Sequence, residues 1–273
     1  MSEKTSNGST AEQSAPKDDK TEYVKPYMAK ENDDLGYYFF PCRKTDEITE
    51  DKSTTTTIRN FMIKNFRMFG SAESDNRNCK INVMECVNRD PKVQIMLRAL
   101  RAHGCPVDIS RHISCEPCRM KISGGYDFYN SQVVVCENVV KRVPPTCNVL
   151  SHELLHAWDH CRAKYDPKNV EHLACTEIRA ANIFHCHLGP SIMSGAASFT
   201  NLRDRHQDCV RNKATFTVQM ARNVTEDEAA AIVEKVFARC YTDLEPFGRR
   251  PRKQNKGDCD RALQEGILYG YVE

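Results

Sequence analysis

The chain contains 273 residues, which is enough for one large domain or two small ones with a buried core. Its 39 Lys and Arg residues nearly balance its 37 Asp and Glu residues, so the net charge of +2 argues against binding of nucleic acid through a strongly basic surface. The hydrophobic share of 40% is typical of a globular protein. The 14 cysteines are unusual for a reducing compartment and predict disulfides, metal ligands or both.

The sequence shows no signal for export or membrane insertion. The longest uncharged run, residues 188–202, is rich in Ser and Gly and is shorter than the ~20 apolar residues that cross a bilayer. The N-terminal part contains many acidic residues and no Arg before Arg43, unlike a mitochondrial presequence. The cysteines therefore indicate an oxidising compartment, although the sequence contains no recognisable signal that would target the chain there.

Composition divides the chain into three parts. Residues 1–56 are rich in Ser, Thr, Lys, Asp and Glu and predict a disordered polar tail. The aromatic run 37–40 within it is either a docking segment or a local apolar cluster. Residues 57–250 have the pattern of a globular domain, and residues 251–273 are a C-terminal extension.

The elements expected in the globular part are mostly helical. Asp90 and Pro91 suit the start of a helix that Gly104 ends. The apolar run 132–136 predicts a buried strand, which we expect at a sheet edge where a peptide substrate could be held. Further helices are expected at 144–163, 170–184 and 202–220, and from the capping box of Thr225 and Glu228. The pattern favours an α+β fold with a small sheet.

The segment from His152 to His156 is an HExxH motif within the expected helix 144–163. Residues four apart share one helix face, about 6 Å apart along the axis, so both imidazoles can bind one Zn²⁺. Glu153 can take a proton from a zinc-bound water and pass it to the leaving amine. The motif predicts a metalloprotease domain with Glu153 as catalytic residue. The alternative is two surface histidines beside a solvated Glu.

The HExxH motif supplies two metal ligands and does not identify the third. His160 lies about 12 Å along the helix from His152, which is too far to share one ion. Asp159 fails for a similar reason but could hydrogen-bond a ligand histidine. The residues Asp159 and Arg162 also exclude the metzincin pattern, which needs Gly and His at those positions.

A ligand from the following helix remains. Glu177 would complete a His₂Glu set if the two helices are antiparallel. His172 is the alternative ligand, and Glu177 could instead pair with Arg179. For stabilising an oxyanion, Arg179, Tyr126 and His172 are all candidates, and the sequence does not rank them.

Cys115 and Cys118 form a Cys-x-x-Cys motif that has three interpretations. A second zinc site would need another close cysteine pair, and Cys136 and Cys147 stand alone. A thioredoxin-like site would need a βαβ frame, which Pro117 does not suit. The pattern favours structural disulfides.

Several motifs in order resemble the family of mitochondrial inner-membrane metalloproteases that process ATP synthase. The resemblance covers roughly residues 86–250. Its motifs are Gly104-Cys105, the runs 112–118 and 122–127, Val135-Cys136-Glu137-Asn138, the runs 152–162 and 172–182, Cys209-Val210-Arg211, Ala221-Arg222-Asn223 and the run 245–249.

This resemblance implies a zincin-like zinc protease, peripheral on the intermembrane-space side of the inner membrane. It implies cleavage of the N-terminal segment of the ATP synthase subunit 6 precursor, and a separable role in assembling the membrane sector. His152 and His156 match the family's metal ligands and Glu153 its catalytic Glu, whereas Glu177 as third ligand rests on the spacing above.

The family's ten characteristic cysteines are oxidised during import, which implies the oxidative import machinery as a partner and makes a presequence unnecessary. The matching residues here are Cys86, Cys105, Cys115, Cys118, Cys136, Cys161, Cys175, Cys186, Cys209 and Cys240. Their pairing does not follow from the sequence. Four more cysteines have no family counterpart: Cys42, Cys79, Cys147 and Cys259.

Two other functions remain open at this point. One is a non-proteolytic assembly chaperone for ATP synthase whose zinc is structural. The other is a DNA-repair accessory protein, since animal relatives in the family have been linked to the DNA-end-binding Ku protein. The balanced charge gives the second little support, and we expect no nucleic-acid partner.

Overall fold

The structure, a computed structural model, describes residues 26–43, 72–186, 201–251 and 256–271. It is mostly helical with one three-stranded sheet. The helices are α1 Ala72–Arg89, α2 Pro91–Ala102, α3 Ile109–His112, α4 Val143–Arg162, α5 Val170–Ala180, α6 Leu202–Ala221, α7 Glu226–Thr242 and α8 Lys256–Gly266. The strands are β1 Ile113–Glu116, β2 Gly124–Asp127 and β3 Gln132–Cys136. Short turns of 3₁₀-helix span Tyr37–Phe39, Pro41–Arg43 and Ile267–Tyr269, and a π-helical turn, Ala181–His185, continues α5.

Local sequence signals explain where several helices begin. The Asp90 carboxylate accepts hydrogen bonds from the amides of Lys92 and Val93 at the start of α2. At the start of α7, Thr225 and Glu228 form the expected capping box. These predictions are confirmed. Helix α1, in contrast, was not expected from the sequence.

The sheet has the order β1-β3-β2, with β3 parallel to β1 and antiparallel to β2. The strand 132–136 is confirmed, but its expected position at an edge is wrong, because β3 pairs on both sides. The edge strand beside α4 is β2, which begins with Gly124 and Gly125. A side chain on Gly124 would collide with the Val134 carbonyl oxygen and Val149 Cγ1, both 2.6 Å from its Cβ position. Glycine therefore lets β2 approach α4 closely.

Two apolar clusters form most of the core. The first joins α1, α2, α4 and the sheet, and the second joins α5, α6 and α7. Helices α4 and α5 also contact each other, so the two clusters meet there. The largest buried side chain is Trp158 of α4. The HExxH motif of α4 therefore lies at the junction between the two apolar clusters.

Six disulfides link these elements. They are Cys79–Cys115, Cys86–Cys147, Cys105–Cys161, Cys118–Cys136, Cys175–Cys240 and Cys186–Cys209. The ten cysteines of the resemblance do not pair only among themselves, because Cys79 and Cys147 complete two of the bridges. Cys42 and Cys259 are free. The disulfide interpretation of Cys115 and Cys118 is confirmed, although each binds a different partner.

Residues 26–43, which we call the N-terminal strap, differ from the disordered tail expected for residues 1–56. At one end, Ala29 donates a backbone hydrogen bond to the Lys168 carbonyl, ahead of α5. At the other end, Arg43 forms ion pairs with Glu116 and Asp127 of the sheet, both at 2.6 Å. The run 37–40 docks on the sheet, because the Tyr37 hydroxyl donates to Asp127 and Phe40 packs on the small apolar cluster around Val134. Residues 1–25 and 44–56 lie outside the described residues.

The C-terminal extension also packs against the domain. Helix α8 contacts α2, and Ala262 and Tyr271 are buried in the first apolar cluster. Leu263 packs partly against the same cluster, whereas Ile267, Leu268 and Tyr269 are exposed. Among the helices described, we find none with the length and apolar character needed to cross a bilayer.

Candidate metal centre

Helix α4 presents the HExxH motif on a rigid support. Pro144 and Pro145 occupy its first turn, where a missing amide costs nothing. Leu150, Leu154 and Leu155 are fully buried on the face that packs against α1 and α2. This packing fixes the rotation of the helix and turns the histidine face toward α5.

Three side chains converge on one point between α4 and α5. The Nε2 atoms of His152 and His156 lie 3.0 Å apart. Glu177 of α5 places Oε1 3.4 Å from His156 Nε2 and Oε2 3.8 Å from His152 Nε2. These are the residues that the sequence grouped as a His₂Glu set, and all their ligand atoms lie within 4.8 Å of one another.

The spacing fits a tetrahedral metal ion. Ligand atoms about 2.1 Å from a zinc ion in tetrahedral geometry lie about 3.4 Å from one another. The 3.0 Å between the two Nε2 atoms and the 3.4 Å from His156 Nε2 to Glu177 Oε1 are close to that value, and the second carboxylate oxygen lies 3.8 Å from His152 Nε2. Two imidazole nitrogens and one carboxylate oxygen are also the donor set of catalytic zinc sites that leave one position open.

The opposite nitrogen of His156 has its own partner. Its Nδ1 lies 2.8 Å from Thr176 Oγ1, and the Thr176 hydroxyl donates to Asp159 Oδ2 at 2.7 Å. With Thr176 donating to Asp159, its oxygen can accept from the Nδ1 proton, which leaves Nε2 free to bind a metal. Asp159 therefore reaches the candidate ligand His156 through Thr176, whereas the sequence suggested a direct hydrogen bond. Arg179 forms an ion pair with Asp159 from the other side.

His152 is oriented in a similar way. Its Nδ1 lies 2.8 Å from Nε2 of His185, in the π-helical turn after α5. If Nδ1 donates this hydrogen bond, the Nε2 lone pair of His152 also points to the metal position. Burial lowers the pKa of both histidines, that of His156 to about 4. Both rings are therefore neutral at pH 7, as metal ligands must be.

Glu153 lies beside this cluster and is 6% exposed. It lines the same cavity as His152, His156 and Glu177. Burial, followed by the nearby charge of Glu177, raises its pKa well above the usual value. Burial likewise raises the pKa of Glu177 to about 8, partly offset by the positive charge of Arg222. Two buried carboxylates with raised pKa values beside two neutral histidines mark a place suited to a cation.

The other residues considered from the sequence lie elsewhere. His172 accepts a hydrogen bond from the Asp166 amide through Nδ1 and is not part of the cluster. Arg179 is 1% exposed and pairs with Asp159 and Asp243, so it does not neutralise Glu177. Tyr126 lines the cavity, with its hydroxyl 3.0 Å from His160 Nδ1. Of the oxyanion candidates, only Tyr126 is in the cavity.

Sequence reasoning missed Thr176, His185 and Arg222. Thr176 precedes Glu177, on the turn of α5 that faces α4, and His185 follows Glu177 by about two helical turns. His185 lies at roughly the spacing that shares a helix face with Glu177, which is a signal, whereas Thr176 does not, because adjacent residues point to different faces. Arg222 gave no such signal, because it follows α6 and only the tertiary packing of α6 brings it to the cavity.

A cavity of about 410 Å³ opens beside the cluster. One side carries the four polar residues of the candidate centre. The other sides are formed by β2, α6 and the N-terminal strap, and most of their side chains are apolar. The arrangement can hold a peptide segment next to a metal ion and a carboxylate base.

Comparison with known proteins gives consistent matches. The model of the peptidase M76 family matches residues 77–248. The chain is 38% identical over 195 residues to the human mitochondrial inner membrane protease ATP23 homolog, covering 68% of this chain and 75% of that protein. It is 34% identical over 244 residues to the Xenopus laevis protein of the same name, covering 86% and 93%. The Danio rerio homolog is 35% identical over 238 residues, covering 84% of each chain. No solved structure matches the chain.

Proposed function

The chain belongs to the peptidase M76 family, and from this premise we propose that it is a zinc metalloendopeptidase with a zincin-like domain. Its proposed location is the intermembrane-space side of the mitochondrial inner membrane, attached peripherally. There it would cleave the N-terminal segment from the ATP synthase subunit 6 precursor and assist assembly of the membrane sector. The cluster of His152, His156 and Glu177 with Glu153 beside it is the observation that carries the proposal.

The three clustered side chains are the proposed ligands of one Zn²⁺. When bound, zinc supplies a Lewis acid that lowers the pKa of a bound water to roughly 7 and polarises a peptide carbonyl. His156 is held in position by Thr176 and His152 by His185, so the chain orients both imidazoles before any ion binds. The ion also compensates the buried charge of Glu177.

Glu153 is the proposed general base. It lies in the cavity next to the ligands, where it can take a proton from the attacking water at one of its carboxylate oxygens and give it to the leaving amine. Burial raises its pKa in the metal-free protein, and a cation bound at the neighbouring ligands would lower that pKa and favour the ionised form that accepts a proton. The edge of β2 that has no strand partner among the described residues, beside α4, is where the substrate backbone would lie.

The first test is Glu153→Gln in the full chain loaded with zinc. We expect cleavage of the subunit 6 precursor to fall by at least ~100-fold, since a general base contributes about that much or more. Zinc content and the unfolding midpoint should change little, because Glu153 is not among the ligands. The measurements are precursor processing in isolated mitochondria and metal content of the purified variant.

The matched control is Glu234→Gln, on an exposed face of α7 with the side chain 64% exposed. It should leave processing unchanged. Normal processing by Glu153→Gln would contradict the proteolytic function. If the same variant still supports assembly of ATP synthase, the separable chaperone-like role is supported.

The disulfides favour the proposed compartment and the oxidative import machinery as a partner. Twelve of the 14 cysteines are paired, so thiol labelling of the denatured, unreduced protein from mitochondria should find two free thiols. In the native protein Cys42 should react first. Cys259 should react slowly, because it is 7% exposed and burial raises its pKa to about 11. Fourteen reactive thiols would contradict this location.

A further inference from the structure

The N-terminal strap crosses from one apolar cluster to the other. Near its start, the Tyr27 carbonyl accepts a hydrogen bond from Val170 at the beginning of α5. Its end is fixed on the sheet by Arg43. Between these anchors, Asp33 accepts a hydrogen bond from the Asn223 amide, just after α6. The strap therefore spans the junction of the two halves, where the candidate metal centre lies.

The middle of the strap forms a wall of the cavity. Leu35, Gly36, Phe39 and Phe40 all line it, together with the four polar residues of the candidate centre. The Phe39 carbonyl accepts a hydrogen bond from the Arg119 amide, which holds this part of the strap beside β2. The family match begins at residue 77, so this wall comes from outside the matched region.

The apolar side chains opposite the strap come from two other elements. Met120 and Ile122 lie on the segment before β2, and Phe216 and Met220 lie on α6. Met120 and Phe216 are 59% and 62% exposed, so they stand at the mouth. Leaving these side chains around an unfilled space is unfavourable, and an apolar group entering it would release water from apolar surface.

We propose that the strap builds a specificity pocket that accepts one bulky apolar side chain of the substrate, next to the scissile bond. The inference rests on the proposed peptidase activity for the bond that is cut. Phe39 and Leu35 form the strap side of this pocket, and Phe40 supports them against the sheet. Substrates with Phe or Leu at this position are selected over those with Ala.

Two features identify the occupant as a peptide side chain. The apolar walls and the candidate centre belong to one cavity, so a peptide backbone beside the metal position can place a side chain in the pocket. Within the described residues, the outer edge of β2 has no strand partner, and a peptide paired there would direct a side chain into the cavity. Lys121 and Arg222 are the basic groups of the lining, and they disfavour a Lys or Arg side chain.

The test uses the full chain and two series of internally quenched peptides derived from the subunit 6 cleavage site. One series varies the residue before the scissile bond and the other the residue after it, each with Ala, Leu, Phe or Arg. In one series, we expect the wild-type protein to favour Phe over Ala in kcat/KM by about 10-fold or more, the range for burying a large apolar group. Phe39→Ala should reduce this ratio several-fold.

Two further variants separate specificity from folding. Phe39→Trp fills the pocket and should shift the preference toward Leu and Ala. Tyr269→Ala removes an aromatic ring that does not line the cavity and is 73% exposed, so it should leave the ratio unchanged. Near-ultraviolet circular dichroism confirms that each variant is folded.

The same peptides, labelled with a fluorophore, are also titrated into the Glu153→Gln variant to measure binding without cleavage. Preferential binding of the Phe peptide that depends on Phe39 supports the pocket even if no peptide is cut, which would contradict only the proposed activity. Cleavage with the same Phe-to-Ala ratio in the wild-type protein and both Phe39 variants overturns the pocket and leaves the activity intact. Equal binding of all peptides also overturns it.

Discussion

Two parts of this molecule border the same cavity but are held in place differently. The frame, residues 72–186 and 201–251, contains all six disulfides. The N-terminal strap has one cysteine, Cys42, which is free and exposed. The strap is held by hydrogen bonds, by the ion pairs of Arg43 and by apolar packing of Ala29 and Phe40. The frame around the candidate centre is therefore linked covalently, whereas one wall of its cavity is held by non-covalent contacts alone.

This difference affects which motions are accessible. Opening the frame means separating helices and strands that are linked by disulfides. These links persist even when the chain is unfolded. Releasing the strap breaks no covalent bond: Arg43, Tyr37 and several backbone groups exchange their partners for water, and Ala29 and Phe40 leave their apolar contacts. We therefore expect the strap to open at lower free energy than the frame unfolds.

The largest effect should come from removing a frame disulfide. Replacing Cys86 and Cys147 by Ser opens a link across 61 residues between α1 and α4. The loop-entropy relation gives a loss of about 4 kcal/mol in the free energy of unfolding. Urea denaturation measures it, with Cys42→Ser as the control that should change nothing. A double variant as stable as the wild-type protein would show that packing alone holds the frame.

The next effect concerns the strap anchor. Arg43→Met leaves Glu116 and Asp127 without their cation, and breaking such a largely buried pair costs about 3 kcal/mol. The Arg119 amide belongs to the frame and donates to the strap at Phe39, so its hydrogen exchange reports strap opening. Its protection should fall while amides inside α4 stay protected.

Arg89→Met is the matched control for the strap anchor. Arg89 is 77% exposed and pairs with Glu85 within α1, so its loss should cost less than about 0.5 kcal/mol. If Arg43→Met lowers the protection of α4 as much as that of Arg119, the strap and frame open together and the comparison fails.

Much of the frame could be predicted from its sequence because its signals are local. The HExxH spacing, the N-cap at Asp90 and the capping box at Thr225 act within one helical turn. The packing of the strap could not be predicted in this way, since Glu116 and Asp127, the partners of Arg43, are 73 and 84 residues away from it. A polar composition predicts disorder only when such partners are absent. The contacts of Thr176 and His185 were missed for a related reason, because they require knowing that α4 and α5 adjoin.

Acid should release the strap without a mutation. Burial raises the pKa of Asp127, but hydrogen bonds from Asn130, Tyr37 and Arg43 outweigh this, so its pKa is below the ordinary 3.8. A carboxylate with a depressed pKa in the folded state contributes stability above its unfolded pKa, and this is lost as pH falls through the folded value. The protection of Arg119, corrected for intrinsic exchange, should fall below about pH 4. Unchanged protection down to pH 2 would contradict this assignment.

A smaller effect is expected at the support of the metal centre. Thr176→Val keeps the side-chain shape but removes the hydroxyl between His156 and Asp159. Loss of such a partner reduces metal affinity by about 10- to 100-fold. Competition with a chromophoric chelator measures the zinc affinity. Thr242→Val, at the exposed end of α7, is the control, and equal affinities for both variants would remove Thr176 from the support.

The two glycines of β2 allow the rigidity of the frame and of the strap to be compared at adjacent positions. A Cβ on Gly124 would lie 2.6 Å from the Val134 carbonyl oxygen, which is backbone of the adjacent strand. A Cβ on Gly125 would lie 2.4 Å from Cζ of Phe40, which belongs to the strap. Because the sheet cannot shift but the strap can, we expect Gly124→Ala to cost about 3 kcal/mol and Gly125→Ala only about 1 kcal/mol.

The two glycine variants should differ in which part of the protein loses hydrogen-exchange protection, as well as in the loss of stability. Gly125→Ala should lower the protection of the Arg119 amide, and Phe40→Leu should restore part of it in the double variant, since the two positions are in contact. The same second change should not rescue Gly124→Ala, whose collisions are with Val134 and Val149. Equal costs for both glycine variants, with no rescue, would mean that the strap is as immobile as the sheet beneath it.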